Sequence, residues 1–447
     1  MSESENLQQI DSAAVSDFVQ NLIHLDRDLS DAARIDLIRA LEDAKSACSA
    51  AQAKVTADLE ASRRAERAAA GVPAEQRGRG IAAEVALARR VTPNQGGRHL
   101  GLAQALVHEM PKTLSLLEHG ILSEWGATIL VRETACLARE DRTAIDLELC
   151  SDPDTLEGLG DRSLAARARA CAANRDAEAM VRRARKAVCD RRVSIRPAPD
   201  TMAYVTALLP VDQAVGVYAQ LGRDAAGVLA AGDDRTRSQI MADLLVQRVA
   251  GIDPAEGPAI TVNLVLSDKI LTGDSGGDAH VLGYGPIPAK VAAQWIRRGC
   301  DQESRVALRR VYADPDSGAL TVMESKSRIF PAGLALLFDV RDRFCRTPWC
   351  DAPIRHSDHI RAHAEGGETA AVNGAGLCEA CNYAKEGKGW RAEPEPCAPG
   401  KLHSYIVKTP SGHTYRSTAP PLPKPLDLDI EVYRPVEEQL IALLAAA

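Results

Sequence analysis

The chain has 447 residues, a formal net charge of −7 and 11 cysteines. This length predicts several domains, and the acidic balance excludes a protein that is basic throughout, so any nucleic-acid contact must come from a local patch. No run of about 18 apolar residues is present and the start is polar, so we expect no membrane segment, no signal peptide and a cytoplasmic protein with reduced thiols.

The first part of the chain is predicted to be helical. Residues 16–70 are rich in helix-forming residues, and Phe18 and Leu22 begin an apolar repeat at helical spacing. Asp31 is predicted to cap a second helix, and residues 71–73 are predicted to end it. We expect a helical bundle or a dimerising hairpin here, so that the protein could form a homodimer through its N-terminal helices.

Helices are also predicted further along. The glycine-rich residues 92–97 are expected to interrupt the pattern, and residues 98–149 then return to it. Pro111 is predicted to open one helix, and Ser123 is predicted to cap the next.

A basic segment follows at residues 161–196. Its arginines include Arg182, Arg183 and Arg185, and few acidic residues accompany them. Because arginine displaces counterions from DNA regardless of sequence, this segment is a candidate DNA-backbone contact. A solvated basic helix packed on acidic neighbours would explain the same composition.

Strand-like segments then alternate with helices. Residues 193–195 and 202–209 are predicted strands, followed by helices at 211–231 and 233–250. A further strand is predicted at 259–266. Residues 308–323 should form a hairpin, and a helix should begin near Pro331. These elements predict a helix-rich α+β fold.

Near the C-terminus two cysteine pairs stand close together, Cys345 with Cys350 and Cys378 with Cys381. Four thiolates at this spacing complete a closed tetrahedral zinc site. A purely structural zinc site would explain the cysteines, but it needs none of the polar residues between and after them, which are Asp358, His359, Asn373, Asn382 and Lys385.

These residues follow the order C-x4-C, DHI, GG-x-T and N-x4-C-x2-C-N-x2-K, which resembles the cysteine-flanked HNH nuclease motif. The resemblance implies a ββα-metal module that cleaves DNA, with His359 as general base and Asn373 orienting it. It implies that Asp358 and Asn382 hold a catalytic Mg²⁺ or Mn²⁺, and the cysteines a structural Zn²⁺. Asn382 stands where many members have histidine. Its carbonyl oxygen is still a suitable ligand for a hard cation.

Basic residues in and before this stretch are candidate phosphate contacts. Lys385 lies one helical turn beyond Asn382, and Arg343 and Arg346 flank the first cysteine. Lys385 could equally be a solvated lysine.

Three other phrases resemble the 13E12 repeat family: MPKTLSLLEHGILSEWGATIL from Met110, GYGPIPA from Gly283, and TPSGHTYRSTAPPLP from Thr409. The resemblance implies a helical domain of unknown function followed by a C-terminal HNH module. We predict a helical region at 1–95, an α+β domain at 96–335 and the nuclease module at 336–392. Residues 393–447 should contain a hairpin, a proline-rich segment and a short helix.

Two other functions fit parts of this pattern. His363-Ala364-Glu365 before Cys378 and Cys381 imitates a zinc deaminase signature, but the glycines at 366–367 break any helix there and the other cysteine pair is left without a role. A zinc-stabilised module that binds DNA or protein without cleaving it stays open, because Asn382 replaces histidine.

Overall fold

The computed structural model describes residues 11–251, 264–265, 278–281, 284–301, 330–396 and 401–422. Within these ranges helices predominate and the sheets have two or three strands each. The chain divides into two compact units, one made of the described parts of Met1–Asp58 and Leu102–Met180, the other of those of Leu59–Gly101 and Val181–Ala447. This division is coarser than the four segments predicted from the sequence, which stay predictions.

Nine helices occupy the first half of the described chain. They are α1 (Ser12–Ile23), α2 (Asp31–Ala69), α3 (Ile81–Arg89), α4 (Pro93–His108), α5 (Pro111–Glu118), α6 (Glu124–Thr134), α7 (Arg139–Cys150), α8 (Asp161–Arg175) and α9 (Ala177–Ala187). In the described ranges, no helix has the length and apolar character needed to cross a membrane.

Local capping sets several of these boundaries. Pro111 occupies the first turn of α5, and the Ser123 hydroxyl accepts a hydrogen bond from Gly126 N at 3.1 Å, which confirms both predictions. The start of α5 is also capped from a distance, since the Asp146 carboxylate accepts from Lys112 N and Thr113 N at 2.7 and 2.8 Å. This buried carboxylate ties α7 to α5.

The first unit is held together by apolar packing. Helices α5 to α8 enclose a continuous core with fully buried leucine and isoleucine side chains, among them Leu117, Leu130 and Ile145. Helix α6 packs against α8, and α5 against α7. The hydrophobic effect supplies most of the stability of such a unit.

Two sequence predictions in the helical region were wrong. Helix α2 is capped by Ser30, whose hydroxyl accepts from Ala33 N, while Asp31 is its first residue. The second prediction was wrong in its extent, since the helices are interrupted at residues 90–92 while residues 93–97 form the start of α4. A Cβ at Gly96 would lie 2.4 Å from Ala82 O, so glycine serves here to let α3 and α4 approach closely.

The second unit contains the strands. In chain order its further elements are β1 (Arg192–Pro197), β2 (Ala203–Leu208), α10 (Val211–Ala230), α11 (Arg237–Ala250), β3 (Leu264–Val265), β4 (Asp278–Val281), β5 (Gly285–Pro288), α12 (Ala289–Asp301), α13 (Ala332–Asp342), β6 (His356–His359), β7 (Gly374–Leu377), α14 (Glu379–Lys385), β8 (Arg391–Pro394), β9 (Ser404–Lys408) and β10 (Thr414–Thr418). The predicted strands β1 and β2, and the helices α10, α11 and α13, are confirmed.

All the described strand pairs are antiparallel. They form the hairpin β1–β2, the sheet β3–β4–β5, the pair β6–β7 and the sheet β10–β9–β8. Strands β9 and β10 make the hairpin expected after the cysteine stretch. Most of the predicted strand at 259–266, the hairpin at 308–323, most of the proline-rich segment and the C-terminal helix lie outside the described residues.

Helix α3 packs with the C-terminal part of the chain inside the second unit. The buried Glu84 carboxylate accepts a hydrogen bond from Ser411 N at 2.8 Å, in the turn between β9 and β10. Gly80, with φ +81°, lies against Trp390, where a Cβ would come within 2.7 Å of the indole nitrogen. The sequence did not predict this association, because no local pattern links residues so far apart along the chain.

Candidate metal centre

The four C-terminal cysteines converge on one point. Cys345 and Cys350 lie in the loop after α13, Cys378 caps the N-terminus of α14, and Cys381 lies in its first turn. All four are buried free thiols, and their sulfur atoms lie within 4.8 Å of one another. Tetrahedral zinc with Zn–S bonds of about 2.3 Å separates sulfurs by about 3.8 Å, and Cys350 Sγ and Cys378 Sγ are 3.7 Å apart. The cluster could therefore hold a zinc ion.

The charge balance of the cluster also suits a dication. Hydrogen bonds among the sulfurs lower the pKa values of Cys345 and Cys378 and raise those of Cys350 and Cys381. The thiols therefore do not all ionise together by themselves, and a bound dication is what would stabilise four adjacent thiolates. Cys381 N donates to Cys378 Sγ at 3.4 Å, so the start of α14 adds a favourable dipole.

The cluster answers the deaminase alternative. Both cysteine pairs belong to one group, and that group contains neither His356 nor His363. The Cys378-x-x-Cys381 pair therefore takes its partners from Cys345 and Cys350.

Strand β6 carries the Asp358-His359 step. It pairs with β7, with Asp358 opposite Ala375 and His359 opposite Gly374, and α14 packs against β6. Glycine at position 374 is required by space, since a Cβ there would lie 2.0 Å from the Phe338 ring. The chain from β6 to α14 thus has the order strand, strand, helix, with two of the four cysteines at the helix start.

His359 is buried and held on two sides. Its Nε2 lies 2.9 Å from Thr369 Oγ1, and its ring lies against Phe330 with centroids 4.4 Å apart. Its Nδ1 faces Asp358 Oδ1 at 3.9 Å, which is longer than a hydrogen bond. Sequence reasoning quoted Thr369 within the GG-x-T phrase without giving it a role, and it missed Phe330.

Asn373 braces the loop between β6 and β7. Its Oδ1 accepts from Arg361 N at 2.9 Å, and its Nδ2 donates to the carbonyls of Arg361 and Glu368 at 3.1 and 2.8 Å. The loop closed in this way leads directly to Thr369. Asn373 is therefore placed to support His359 through the loop.

Asn382 and Lys385 approach from α14. Asn382 Oδ1 is shielded from solvent and, among the described residues, accepts no hydrogen bond. Lys385 Nζ lies 2.7 Å from Asp358 Oδ2 and also donates to the carbonyl of His359. A buried carbonyl oxygen without a donor is uncommon, and a role as a metal ligand is one explanation for it.

Arg346 is not an exposed arginine. It is 4% exposed, and its guanidinium donates to Asp342 Oδ1 at 2.7 Å and to the Ser417 and His403 carbonyls at 3.2 and 3.3 Å. The predicted phosphate contact is at odds with this position, because a side chain that binds the DNA backbone must reach solvent. Arg343 is half-buried, and it donates to the Pro421 carbonyl in an exposed hydrogen bond.

Asp342 is the centre of this buried network. Arg341 Nε and Arg346 Nη1 both donate to its Oδ1 at 2.7 Å, and Gly376 N donates to its Oδ2 at 2.8 Å. Burial opposes ionisation of Asp342, but the charge of Arg341 and these hydrogen bonds outweigh it and lower its pKa. The network links α13 to β7 next to the cysteine cluster, and sequence reasoning missed it.

His403 joins the network as a neutral ring. Its Nε2 lies 2.9 Å from the Val372 carbonyl, and its Nδ1 lies 3.3 Å from Arg346 Nη1, so Nε2 carries the proton and Nδ1 accepts. Burial, followed by the charge of Arg341, lowers the pKa of His403 to about 4.

The basic residues Arg182, Arg183 and Arg185 lie on α9, at the start of the second unit. Arg182 and Arg185 are exposed, and Arg183 is half-buried. They do not take part in the contacts around His359 described above.

Comparison with known proteins identifies the larger part of the chain. The model of a family described as "Domain of unknown function (DUF222)" matches residues 36–342, more than half of the sequence. The match ends before Cys345 and so covers none of the four cysteines. No curated protein and no solved structure matches the chain.

Proposed function

The chain belongs to the DUF222 family, and we propose that its C-terminal module, residues 336–392, is an HNH-type endonuclease that hydrolyses DNA phosphodiester bonds. One observation carries the proposal. Helix α14, which starts at the cysteine cluster, reaches both residues of the Asp358-His359 step through Lys385, and the Asn382 oxygen one turn earlier lacks a donor among the described residues. A purely structural zinc site needs none of these residues. The sequence resemblance to cysteine-flanked HNH modules agrees with this proposal.

His359 is the general base of the proposed reaction. In the tautomer in which Nε2–H donates to Thr369 Oγ1, the basic nitrogen is Nδ1, on the side of Asp358. This nitrogen takes the proton of the attacking water, as a neutral imidazole can near neutral pH. Phe330 and Thr369 fix the ring, and Asn373 acts as a positioning residue by holding the loop before Thr369.

Asp358 and Asn382 would hold the catalytic Mg²⁺ or Mn²⁺. Both offer oxygen atoms, which hard divalent cations prefer, and the buried Asn382 oxygen fits a ligand role. When bound, such an ion supplies positive charge to the phosphate and the leaving oxygen. Cys345, Cys350, Cys378 and Cys381 would hold a structural Zn²⁺ that fixes α14 and the loop after α13.

DNA contacts are assigned to Lys385 and to the basic residues of α9, Arg182, Arg183 and Arg185. Arg346 is left out because it is buried, and Arg343 because its guanidinium already donates to the Pro421 carbonyl. Reversing the charge at Arg182, Arg183 and Arg185 should weaken DNA binding. It should also reduce the slope of the logarithm of the binding constant against the logarithm of the salt concentration by about one for each residue changed. Unchanged affinity and salt slope in a filter-binding titration would remove α9 from the DNA-binding surface.

The deciding experiment is plasmid cleavage by the purified, zinc-loaded protein with Mg²⁺, Mn²⁺ or EDTA. We expect nicking or linearisation that requires the added metal and falls at least about a hundredfold in His359→Ala. Asp358→Asn should lose activity as well. His413→Ala, an exposed histidine in the β9–β10 turn, is the matched control and should cleave like the wild type.

The second candidate is a zinc-stabilised module that binds DNA or protein without cleaving it. The asparagine at position 382, where many HNH modules have histidine, favours this alternative. Zinc bound at one ion per chain, DNA bound, and no cleavage with any metal would select it over the nuclease.

A homodimer through the N-terminal helices is part of the proposal. Every residue of α1 is exposed, and Val15, Phe18 and Val19 present apolar surface that is 45–51% exposed. A second copy of α1 could cover this stripe. Phe18→Asp should then convert the dimer to a monomer in light scattering. A cytoplasmic location is proposed because zinc-binding thiolates persist in reducing compartments.

A further inference from the structure

The ammonium group of Lys385 contacts the Asp358 carboxylate, which the proposed function assigns to the catalytic metal. Its Nζ lies 2.7 Å from Asp358 Oδ2 and 3.4 Å from Glu386 Oε1, and it donates to the backbone carbonyl of His359. The Lys385 side chain is only 14% exposed and that of Asp358 28%. Three acceptors thus surround one ammonium group, and the Asp358–Lys385 ion pair is more shielded from solvent than a typical surface ion pair.

The neighbouring Asn382 gives an independent indication. One helical turn before Lys385, its Oδ1 is shielded from solvent and accepts no hydrogen bond from the residues that the structure describes. The ammonium group thus satisfies Asp358 and the His359 carbonyl, but it does not serve as a donor to the asparagine oxygen. One positive charge therefore contacts the Asp358 carboxylate, which the proposed function assigns to a divalent ion.

We propose, on the basis of the nuclease function above, that the Lys385 ammonium group takes the place of the divalent ion on Asp358 while no metal is bound. The metal then binds by displacing this ammonium group. A dication and an ammonium repel each other when both contact one carboxylate, and the repulsion is stronger in a partly buried site. The lysine side chain is flexible and its three donors rotate freely, so it can leave Asp358 without disturbing α14.

The exchange also reconciles two roles for one residue. Lys385 was predicted to contact phosphate, yet it lies on Asp358. Once displaced, its ammonium becomes available to a DNA phosphate, which is an equally good acceptor. The metal affinity of the free protein is then set by the strength of the Asp358–Lys385 contact.

The test measures binding of Mn²⁺ alone to the zinc-loaded full-length protein without DNA, by electron paramagnetic resonance of the free ion. Lys385→Met keeps the length of the side chain and removes its charge, and it should bind Mn²⁺ about fivefold to tenfold more tightly than the wild type. Lys385→Arg keeps the charge and should bind as weakly as the wild type. Lys388→Met removes an exposed charge three residues away and should change the affinity less than about twofold.

Asp358→Asn separates failure of this inference from failure of the proposed function. If Mn²⁺ binds the wild type and Lys385→Met equally and Asp358→Asn abolishes binding, the metal site stands and the exchange with Lys385 is wrong. If neither the wild type nor any variant binds Mn²⁺, or if Asp358→Asn binds it like the wild type, the proposed metal site is wrong. The proposed exchange with Lys385 is then wrong as well. Bound zinc and the far-ultraviolet circular dichroism of each variant, unchanged from the wild type, show that the variant is folded.

Discussion

The helical unit and the C-terminal segment of this chain achieve stability in different ways. In α5 to α8, large aliphatic side chains such as Leu117 and Ile145 are completely buried in one continuous core. The described part of the segment from Phe330 to Leu422 has only small apolar clusters, two of them built around Phe338 and Tyr405. Buried polar groups accompany these clusters, namely the four cysteines, Asp342, Arg346 and His403.

The difference follows from size. Short elements such as β6, β7 and α14 have four to seven residues each and cannot cover much apolar surface. A cysteine cluster that could hold a zinc ion and a buried ionic network supplement these small cores, because each acts through a few strong, directional contacts. The comparison leads to tests that address the two regions separately.

The largest effect is expected from loss of the metal cluster. Cys378→Ser should abolish zinc binding and unfold the segment around α14, because structural zinc sites supply about 10–16 kcal/mol of folding free energy. Zinc stoichiometry and limited proteolysis of the C-terminal segment measure this. Cys48→Ser, at an exposed free cysteine of α2, is the control and should change neither. A protease-resistant C-terminal segment without zinc would contradict the idea that the metal supplements the small cores.

The next effect is expected at Asp342. Asp342→Asn leaves the buried guanidinium groups of Arg341 and Arg346 without their negative partner, and it should reduce the free energy of unfolding by about 3–5 kcal/mol. Urea unfolding followed by tryptophan fluorescence measures this loss, since Trp349 and Trp390 lie in this segment. The same substitution at the exposed Asp351 should be neutral. A loss below about 1 kcal/mol at Asp342 would show that the network contributes little.

The helical unit should respond to cavities instead. Leu117→Ala removes a fully buried side chain of α5 and should destabilise the helical unit by about 2–5 kcal/mol, with zinc binding unchanged. Helix unfolding followed by circular dichroism reports the loss. Leu147→Ala on α7 is the same substitution at a leucine that is 58% exposed, and it should change the free energy of unfolding by less than about 0.5 kcal/mol. Zinc loss in Leu117→Ala would mean that the two regions do not respond independently.

The smallest effect is a pH dependence set by His403. Its pKa falls from 6.5 to about 4 on folding, so its contribution to stability is complete above about pH 6.5 and decreases as the pH falls towards 4. Between about pH 7 and about pH 5.5 the wild type should lose about 1 kcal/mol through this group. His403→Gln keeps a donor for the Val372 carbonyl but does not titrate, so its unfolding free energy should fall less over that range. The exposed His413→Gln should follow the wild type, and identical pH profiles for His403→Gln and the wild type would exclude His403 as the source.

Local sequence patterns were enough for much of the architecture. Pro111 and Ser123 mark helix starts because proline fixes the backbone of the first turn without adding an unpaired N–H, and serine accepts a hydrogen bond from three residues on. The spacing of the cysteines predicted a cluster that the structure brings together. The predicted interruption at residues 92–97 extended too far, because the glycine at position 96 serves a contact between helices, which a local pattern cannot show.

The sequence by itself determined that the chain is helix-rich, that four cysteines can share a metal, and which polar residues accompany them. Only the tertiary structure decided what those polar residues contact. Arg346 turns inward because Asp342, His403 and Ser417 meet around it, and Lys385 lies on Asp358 because α14 packs against β6. The reason is that spacing along a chain specifies neighbours within a turn or a strand. Burial and charge pairing depend on elements far apart along the chain, as with Arg346 and Ser417, which are 71 positions apart.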